Sequence, residues 1–208
     1  MKRVDQIVLD GPSRHLSNIS QVHARLAVGC HYLGDAKEAD RRLQQSEFNA
    51  SQIRNDFDLV DALRTLSSCY LMRGELDKAK EIATRGLSTS LRHTATYPVL
   101  TLLMVLVETA VAEGHHEAAE FYLHEADLLV ESGMLVPNRD MVIYHYYRAR
   151  SSENDERREF HRSAGASALR HELDAIDDDR LTEVFLTIRN FERIHRDLLG
   201  GAAAADSA

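Results

Sequence analysis

Three glycines, Gly34, Gly74 and Gly114, stand 40 residues apart, and an alanine follows each by five: Ala39, Ala79 and Ala119. Self-similarity at a fixed period of roughly 20–50 residues is the mark of a repeat architecture, so this spacing constrains the chain more than any composition figure. The shared spelling is Gly34-Asp-Ala-Lys-Glu-Ala39, Gly74-Glu-Leu-Asp-Lys-Ala79 and Gly114-His-His-Glu-Ala-Ala119. Extending the frame lands on Asn154, and asparagine follows glycine in tolerance of a left-handed backbone. Eight residues before each turn stand Leu26, Leu66, Leu106 and Tyr146; twelve residues after it stand Ser46, Gly86, Ala126 and Ala166. One position is large and apolar four times over, and the other is small four times over.

The physics of the frame is that of a helical hairpin. Before each turn, apolar residues recur at three and four, as in Leu63, Leu66, Tyr70 and Leu71 or Val99, Leu102, Leu103, Leu106 and Val107. Each glycine is placed to end a helix in a left-handed cap, and Asp35, Glu75 and Glu117 fall where the next helix begins, at the positive end of its dipole. The alanine after the turn, and the small residue further on, let helices approach closely. With only 10 Gly and 3 Pro among 208 residues, and 44% hydrophobic against 28% charged, the chain reads as helical and rich enough in apolar side chains to fold. Neither helix of a hairpin carries a core of its own, so neighbouring hairpins must supply the burial.

The pattern Leu-x3-Tyr-x3-Gly-x4-Ala-x6-small, clearest in Leu66, Tyr70, Gly74, Ala79 and Gly86, resembles the tetratricopeptide repeat. The resemblance covers residues 15–172 as four hairpins and implies an all-α, right-handed α-solenoid closed by a C-terminal capping helix. The family period is 34, so each hairpin here carries about six extra residues. The proline that usually closes the second helix is replaced by Ser51, Leu91, Glu131 and His171, and in the fourth hairpin Glu159 stands where alanine is expected. Long, proline-poor repeats of this kind resemble those of bacterial regulatory proteins.

The frame predicts helices near 15–33, 36–51, 57–73, 76–92, 97–113, 116–132, 138–151 and 155–173, with Pro98 and Pro137 at helix starts, where a missing N–H costs little. A further helix over 179–199 follows Asp177-Asp178-Asp179. The organisation is an N-terminal extension (1–14), repeats over 15–176 (about 15–54, 55–94, 95–135 and 136–176), a capping helix (177–199) and a disordered tail (200–208) opened by Gly200-Gly201.

The formal charge is −8, with 25 Lys+Arg against 33 Asp+Glu, which argues against nucleic acid as a partner. Cys30 and Cys69 make no CxxC and read as two small buried hydrophobes of a reducing compartment. Residues Tyr97 to Ala112 are too short for a bilayer span and are interrupted by Glu108, and the first eleven residues lack a signal-peptide core, so a cytoplasmic protein without membrane insertion is expected. No catalytic motif, phosphate loop or zinc spacing is present, so no catalytic residue, cofactor or metal is assigned. His116, Glu120 and His124 share a helical spacing of four, but a solvated polar stripe is preferred over a metal site. In Tyr144-His-Tyr-Tyr-Arg-Ala-Arg150, followed by Arg157, Arg158 and Arg162, aromatics mix with basic residues as in nucleic-acid readers; Ile143, Tyr146 and Tyr147 nevertheless occupy core positions of the frame.

In tetratricopeptide-like stacks the first helix of each hairpin lines a concave face. Carried over by frame, the resemblance places Gln21, Ala24, Val28 and His31 there, then Asp61, Arg64, Ser68 and Leu71, then Thr101, Met104, Glu108 and Val111, then Met141, Tyr144, Arg148 and Ser151. Such a lining suits an extended segment or helix with apolar anchors. In the last helix Leu181, Val184, Ile188, Phe191, His195 and Leu198 make a heptad-like seam, widened by Phe185 and Ile194, which either caps the repeats or pairs with its copy in a homodimer. The expected function is a non-enzymatic protein–protein interaction scaffold binding a peptide or partner helix. The alternative is a regulatory or sensory domain of a bacterial signalling or transcription-control system, with the last helix dimerising or relaying the signal.

Overall fold

The computed structural model describes residues 15–90, 97–133, 136–187 and 191–205. The expected extension 1–14, Ile188, and the final residues 206–208 of the expected tail lie outside them. The described residues form ten α-helices and no strand: α1 (Leu16–Tyr32), α2 (Ala36–Ser51), α3 (Asp56–Met72), α4 (Leu76–Ser90), α5 (Tyr97–Ala112), α6 (His116–Glu131), α7 (Asn138–Ser151), α8 (Asp155–Asp174), α9 (Asp179–Thr187) and α10 (Phe191–Ala205). The fold is all-α.

The turn glycines act through their backbone. Gly34, Gly74 and Gly114 have φ of +78°, +75° and +76°. In each turn the glycine N–H returns to a carbonyl three residues back, and the next N–H reaches five residues back (Asp35 to Cys30, Glu75 to Tyr70, His115 to Ala110), the paired bonds of a Schellman cap. Asp35 then caps α2 by accepting the Glu38 N–H at 3.1 Å. Asn154 departs from the expectation. Its φ is −82° and ψ 124°, and its side chain caps α8 by accepting the Arg157 N–H at 2.9 Å. The fourth turn therefore has no left-handed residue: α7 ends at an extended Ser152, and asparagine serves as an N-cap. A fourth left-handed glycine, Gly133 (φ +73°), follows α6 instead.

The chain divides into two compact units, residues 1–109 and 110–208, the division falling within α5. In the first, α1 pairs with α2 and α3 with α4, and α3 packs on both helices of the hairpin before it. The alanines of the frame, Ala39 and Ala79, are fully buried. The small position after the turn is where helices touch. Ser46 donates to the Ser20 carbonyl at 2.8 Å while Ser20 donates to the Ser46 carbonyl at 2.9 Å, and a side chain begun at Gly86 would meet Leu102 of α5 at 2.9 Å. Arg42 is a buried charge with built-in partners: its Nε donates to Glu38 at 2.8 Å and its Nη1 lies 3.2 Å from His23 Nδ1. The Arg41 fork, bonded to the same carboxylate ahead of Arg42, holds Glu38 down to about 2.

In the second unit α7 pairs with α8, α6 packs against α7, and α10 packs on both α7 and α8. Ala119, Ala126 and Ala166 are buried, as the frame requires. The described residues of the stretch 179–199 belong to two helices, α9 and α10, that pack on one another. The rings of Phe185 and Phe191 lie 4.8 Å apart between centroids, whereas six residues along a single helix would separate them by about 9 Å of rise. The seam is divided accordingly: Phe191, Ile194 and Leu198 on α10 are buried, while Leu181 and Val184 on α9 are exposed. Helix α10 also continues through Gly200-Gly201 to Ala205, six residues into the stretch expected to be a disordered tail. Of the cysteines, Cys69 is buried as expected and Cys30 is only half-buried.

Candidate functional site

The four predicted groove rows meet different fates. On α3, residues 59–70 are buried except Asp61, Arg64 and Ser68, and Leu71 continues that half-open row. The row is also internally braced. Asp61 accepts from Gln21 Nε2 of α1 at 2.6 Å and from Arg64 Nε at 2.9 Å, and Ser68 donates to the Arg64 carbonyl at 3.0 Å. Gln21 and Asp61 hold the same place in successive repeats, so the frame brought two predicted residues into contact. Gln21 is buried under this bond, however, with Ala24 and Val28, and only His31 of its row is exposed.

Thr101, Met104 and Glu108 are buried, Met104 completely. They line no open groove. Helix α5 is apolar on every side, and a helix of that kind seeks cover all round rather than along one stripe.

On α7, Met141 and Arg148 are half-open, Ser151 is exposed, and Tyr144 is buried. Tyr144 and Arg148 are joined by a residue outside the predicted row, Asp127 of α6. Tyr144 donates its hydroxyl to Asp127 Oδ1 at 2.8 Å; Arg148 gives Nε to the same oxygen at 2.8 Å and Nη2 to Oδ2, and also reaches Glu120. Burial, then the Asp127 bond and charge, push the Tyr144 hydroxyl well above its ordinary range. Burial works against the Arg148 charge, but Asp127 and Glu120 more than offset it. Tyr144 is therefore not a free anchor for a ligand. A signal for Asp127 lay in the frame: thirteen residues after the turn stand Glu47 and Asp127, and Glu47 likewise accepts a tyrosine hydroxyl, that of Tyr70, at 2.7 Å. Glu120 is thus engaged in an ion pair rather than matched to His116 and His124, and among the described residues no three His, Cys, Asp or Glu side chains converge as a metal site.

Two further clusters lie beside this network. His145 Nδ1 and His161 Nδ1 are 2.9 Å apart, with the rings of Tyr144 and Phe160 against them. One ring must donate and the other accept, so the contact needs at least one of the two rings neutral. Burial, then the neighbouring His161, lower His145 to about 4; burial, then Arg148, lower His161. The second cluster is an arginine-lined cleft formed by α7, α8 and α10. Tyr146 closes its inner side, buried, and donates to Asp197 at 2.8 Å. Arg150 and Arg193 stand over the Tyr146 ring at 5.5 and 5.8 Å. The sequence points to Arg158 and Arg162 on α8 and, through the heptad-like seam, to Leu198 of α10, but not to Asp197.

No helix among the described residues is long and apolar enough to cross a membrane. No protein-family model matches the chain, and no curated protein or solved structure matches it.

Proposed function

We propose that this chain is a non-enzymatic protein-interaction module of the cytoplasm, a right-handed solenoid of four tetratricopeptide-like hairpins that holds a peptide or partner helix along its first helices. The observation that carries the reading is the α3 row. A helix covered on its other sides leaves Asp61, Arg64, Ser68 and Leu71 partly open at spacings of three and four. These groups are already oriented, Asp61 by Gln21 and Arg64 by Asp61, so a guest meets donors and acceptors whose ordering cost has been met in folding. Charges of both signs beside Leu71 suit a segment with alternating polar and apolar groups, and a net charge of −8 disfavours nucleic acid.

Affinity capture from the native lysate, followed by mass spectrometry, tests this reading. Arg64→Glu and Arg64→Ala are each expected to lose the captured partner while leaving helicity and melting temperature near wild type. Retention of the same partner by both variants overturns it.

One observation favours a second reading, a regulatory or sensory domain that dimerises. Leu181 and Val184, three residues apart on α9, are more than half exposed at 60% and 56%, a position from which two copies could meet.

A further inference from the structure

The cleft in the second unit has a volume of about 480 Å3 and is lined by Tyr146, Ala149 and Arg150 of α7, Arg158 and Arg162 of α8, and Asp197 and Leu198 of α10. Three guanidiniums and one carboxylate line it, and two neighbours of that lining, Asp155 against Arg158 and Arg193 over Tyr146, add one charge of each sign, leaving a formal +2 in a chain whose total is −8.

The repeat frame sets these cations beside the other hairpins: four and eight residues after the second and third turns stand Lys78 and Ile82, then Ala118 and Tyr122. Four and eight residues after the first turn stand Glu38 and Arg42, an ion pair sunk into the first hairpin. The same two positions in the fourth hairpin hold Arg158 and Arg162. Only the fourth hairpin carries two cations at these positions, and like charges four apart on a helix destabilise it. Among the described residues Arg162 has no hydrogen-bond or ion-pair partner, and it is exposed. Arg158 is fixed by the Ser152 carbonyl at 2.9 Å and by Asp155. Arg150 donates to the Tyr146 hydroxyl at 3.3 Å and stands 3.6 Å from Asp197, whose Oδ2 already accepts from Tyr146. Five N–H donors per guanidinium leave most of this capacity unused.

We propose that this cleft binds a phosphate monoester. Guanidinium forks match the geometry of phosphoryl and carboxylate oxygens alike. Charge separates the two: a phosphate monoester carries about −1.5 to −2 at neutral pH and balances the lining, whereas one carboxylate leaves a cation over. Ala149 and Leu198 offer an apolar wall to the organic part of the ester, and the volume falls within the roughly 300–1,000 Å3 of small-ligand pockets. The phosphoryl group could belong to a small molecule or to a phosphorylated side chain. The site belongs to the second unit and the α3 row to the first, and its existence does not depend on the interaction reading.

Calorimetric titration of the full chain at fixed ionic strength, with phenyl phosphate and with a short phosphoserine peptide, tests the proposal. Saturable binding of either supports it, and the tighter of the two identifies the source. Arg162→Gln, which removes no internal contact, is expected to weaken binding roughly tenfold, the loss of one charge-assisted hydrogen bond. Asp197→Asn, which keeps an acceptor for Tyr146 but removes the opposing charge, is expected to strengthen it. Absence of saturation by both probes at millimolar concentration overturns the proposal. So does an affinity that Arg162→Gln leaves unchanged, or tighter binding of acetate or a single-stranded oligonucleotide than of either phosphate probe.

Discussion

Gly86 shows how much one missing side chain can decide. It lies within α4, where glycine costs about 1 kcal/mol in helix propensity relative to alanine, and a Cβ there would sit 2.9 Å from both terminal methyls of the buried Leu102. Leu102 can shift a methyl, so Gly86→Ala is expected to fall near neutrality, the propensity gain offsetting the crowding. Gly86→Leu has no such escape and is expected to destabilise by about 1–3 kcal/mol or more through overpacking. Denaturant titration of the two variants reads this directly; a Gly86→Leu protein as stable as wild type would show that α4 and α5 do not meet there. Positions of this kind are legible without coordinates, because a small volume and a left-handed φ are demanded of the residue type itself. Gly34, Gly74, Gly114 and Ala126 follow that logic. Asn154 does not, because asparagine serves equally well as a left-handed residue or as an N-cap, and the frame alone could not choose between them.

At the scale of the helix, periodicity reports which side is apolar, but not what covers it. That is why the α3 row is half-open and the α5 row is not: Thr101, Met104 and Glu108 stand at the corresponding places on a helix that is buried all round. The division of the last helix has the same origin. A seam of threes and fours continues through Leu181, Val184, Phe191 and Leu198 in sequence, yet only the last two are buried, against α7 and α8, with the Arg139 guanidinium 5.5 Å from the Phe191 ring. The two halves should respond differently to the same change. Phe191→Glu loses an aromatic core side chain and is expected to cost about 3–5 kcal/mol, the Arg139 guanidinium offsetting part of the cost of burying the new carboxylate. Val184→Glu, on the exposed α9, is expected to leave the melting temperature near wild type, and to convert dimer to monomer in analytical ultracentrifugation if α9 is a pairing face. A Phe191→Glu protein that melts with wild type would contradict the packing of α10.

For the whole molecule, acid is the most informative perturbation, since two clusters titrate in different windows. His145 is held near 4 by burial and by His161, so the folded protein refuses a proton that the unfolded chain takes up near its ordinary value of 6.5. The unfolded state then binds more protons, and stability falls as pH drops from about 6.5 towards 4. The groups facing the pair reinforce the direction for His161: Arg148 and Arg157 oppose its charge, and Asp127 alone favours it. Glu38, with its carboxyl lowered from 4.5 to about 2, contributes stability that is complete above 4.5 and lost only as pH falls towards 2. Melting temperatures measured from pH 7.5 to 3 should therefore decline first between 6.5 and 5, and His145→Asn should flatten that first decline while leaving the second. A wild-type melting temperature constant from pH 7 to 5 would refute the buried neutral pair. Nothing in the spacing announced it: His145 and His161 are sixteen residues apart on different helices, and only the packing of α7 on α8 joins them.

Helix α5 has a consequence for anyone who handles pieces of this protein. Its sixteen residues offer no polar side to water, so they are safe only while covered. A fragment that ends between Tyr97 and Ala112, or a protease nick that strips away its neighbours, would release a sticky segment of the sort that recruits chaperones and seeds aggregates. Expression boundaries placed outside that helix should give soluble material, and those placed within it inclusion bodies.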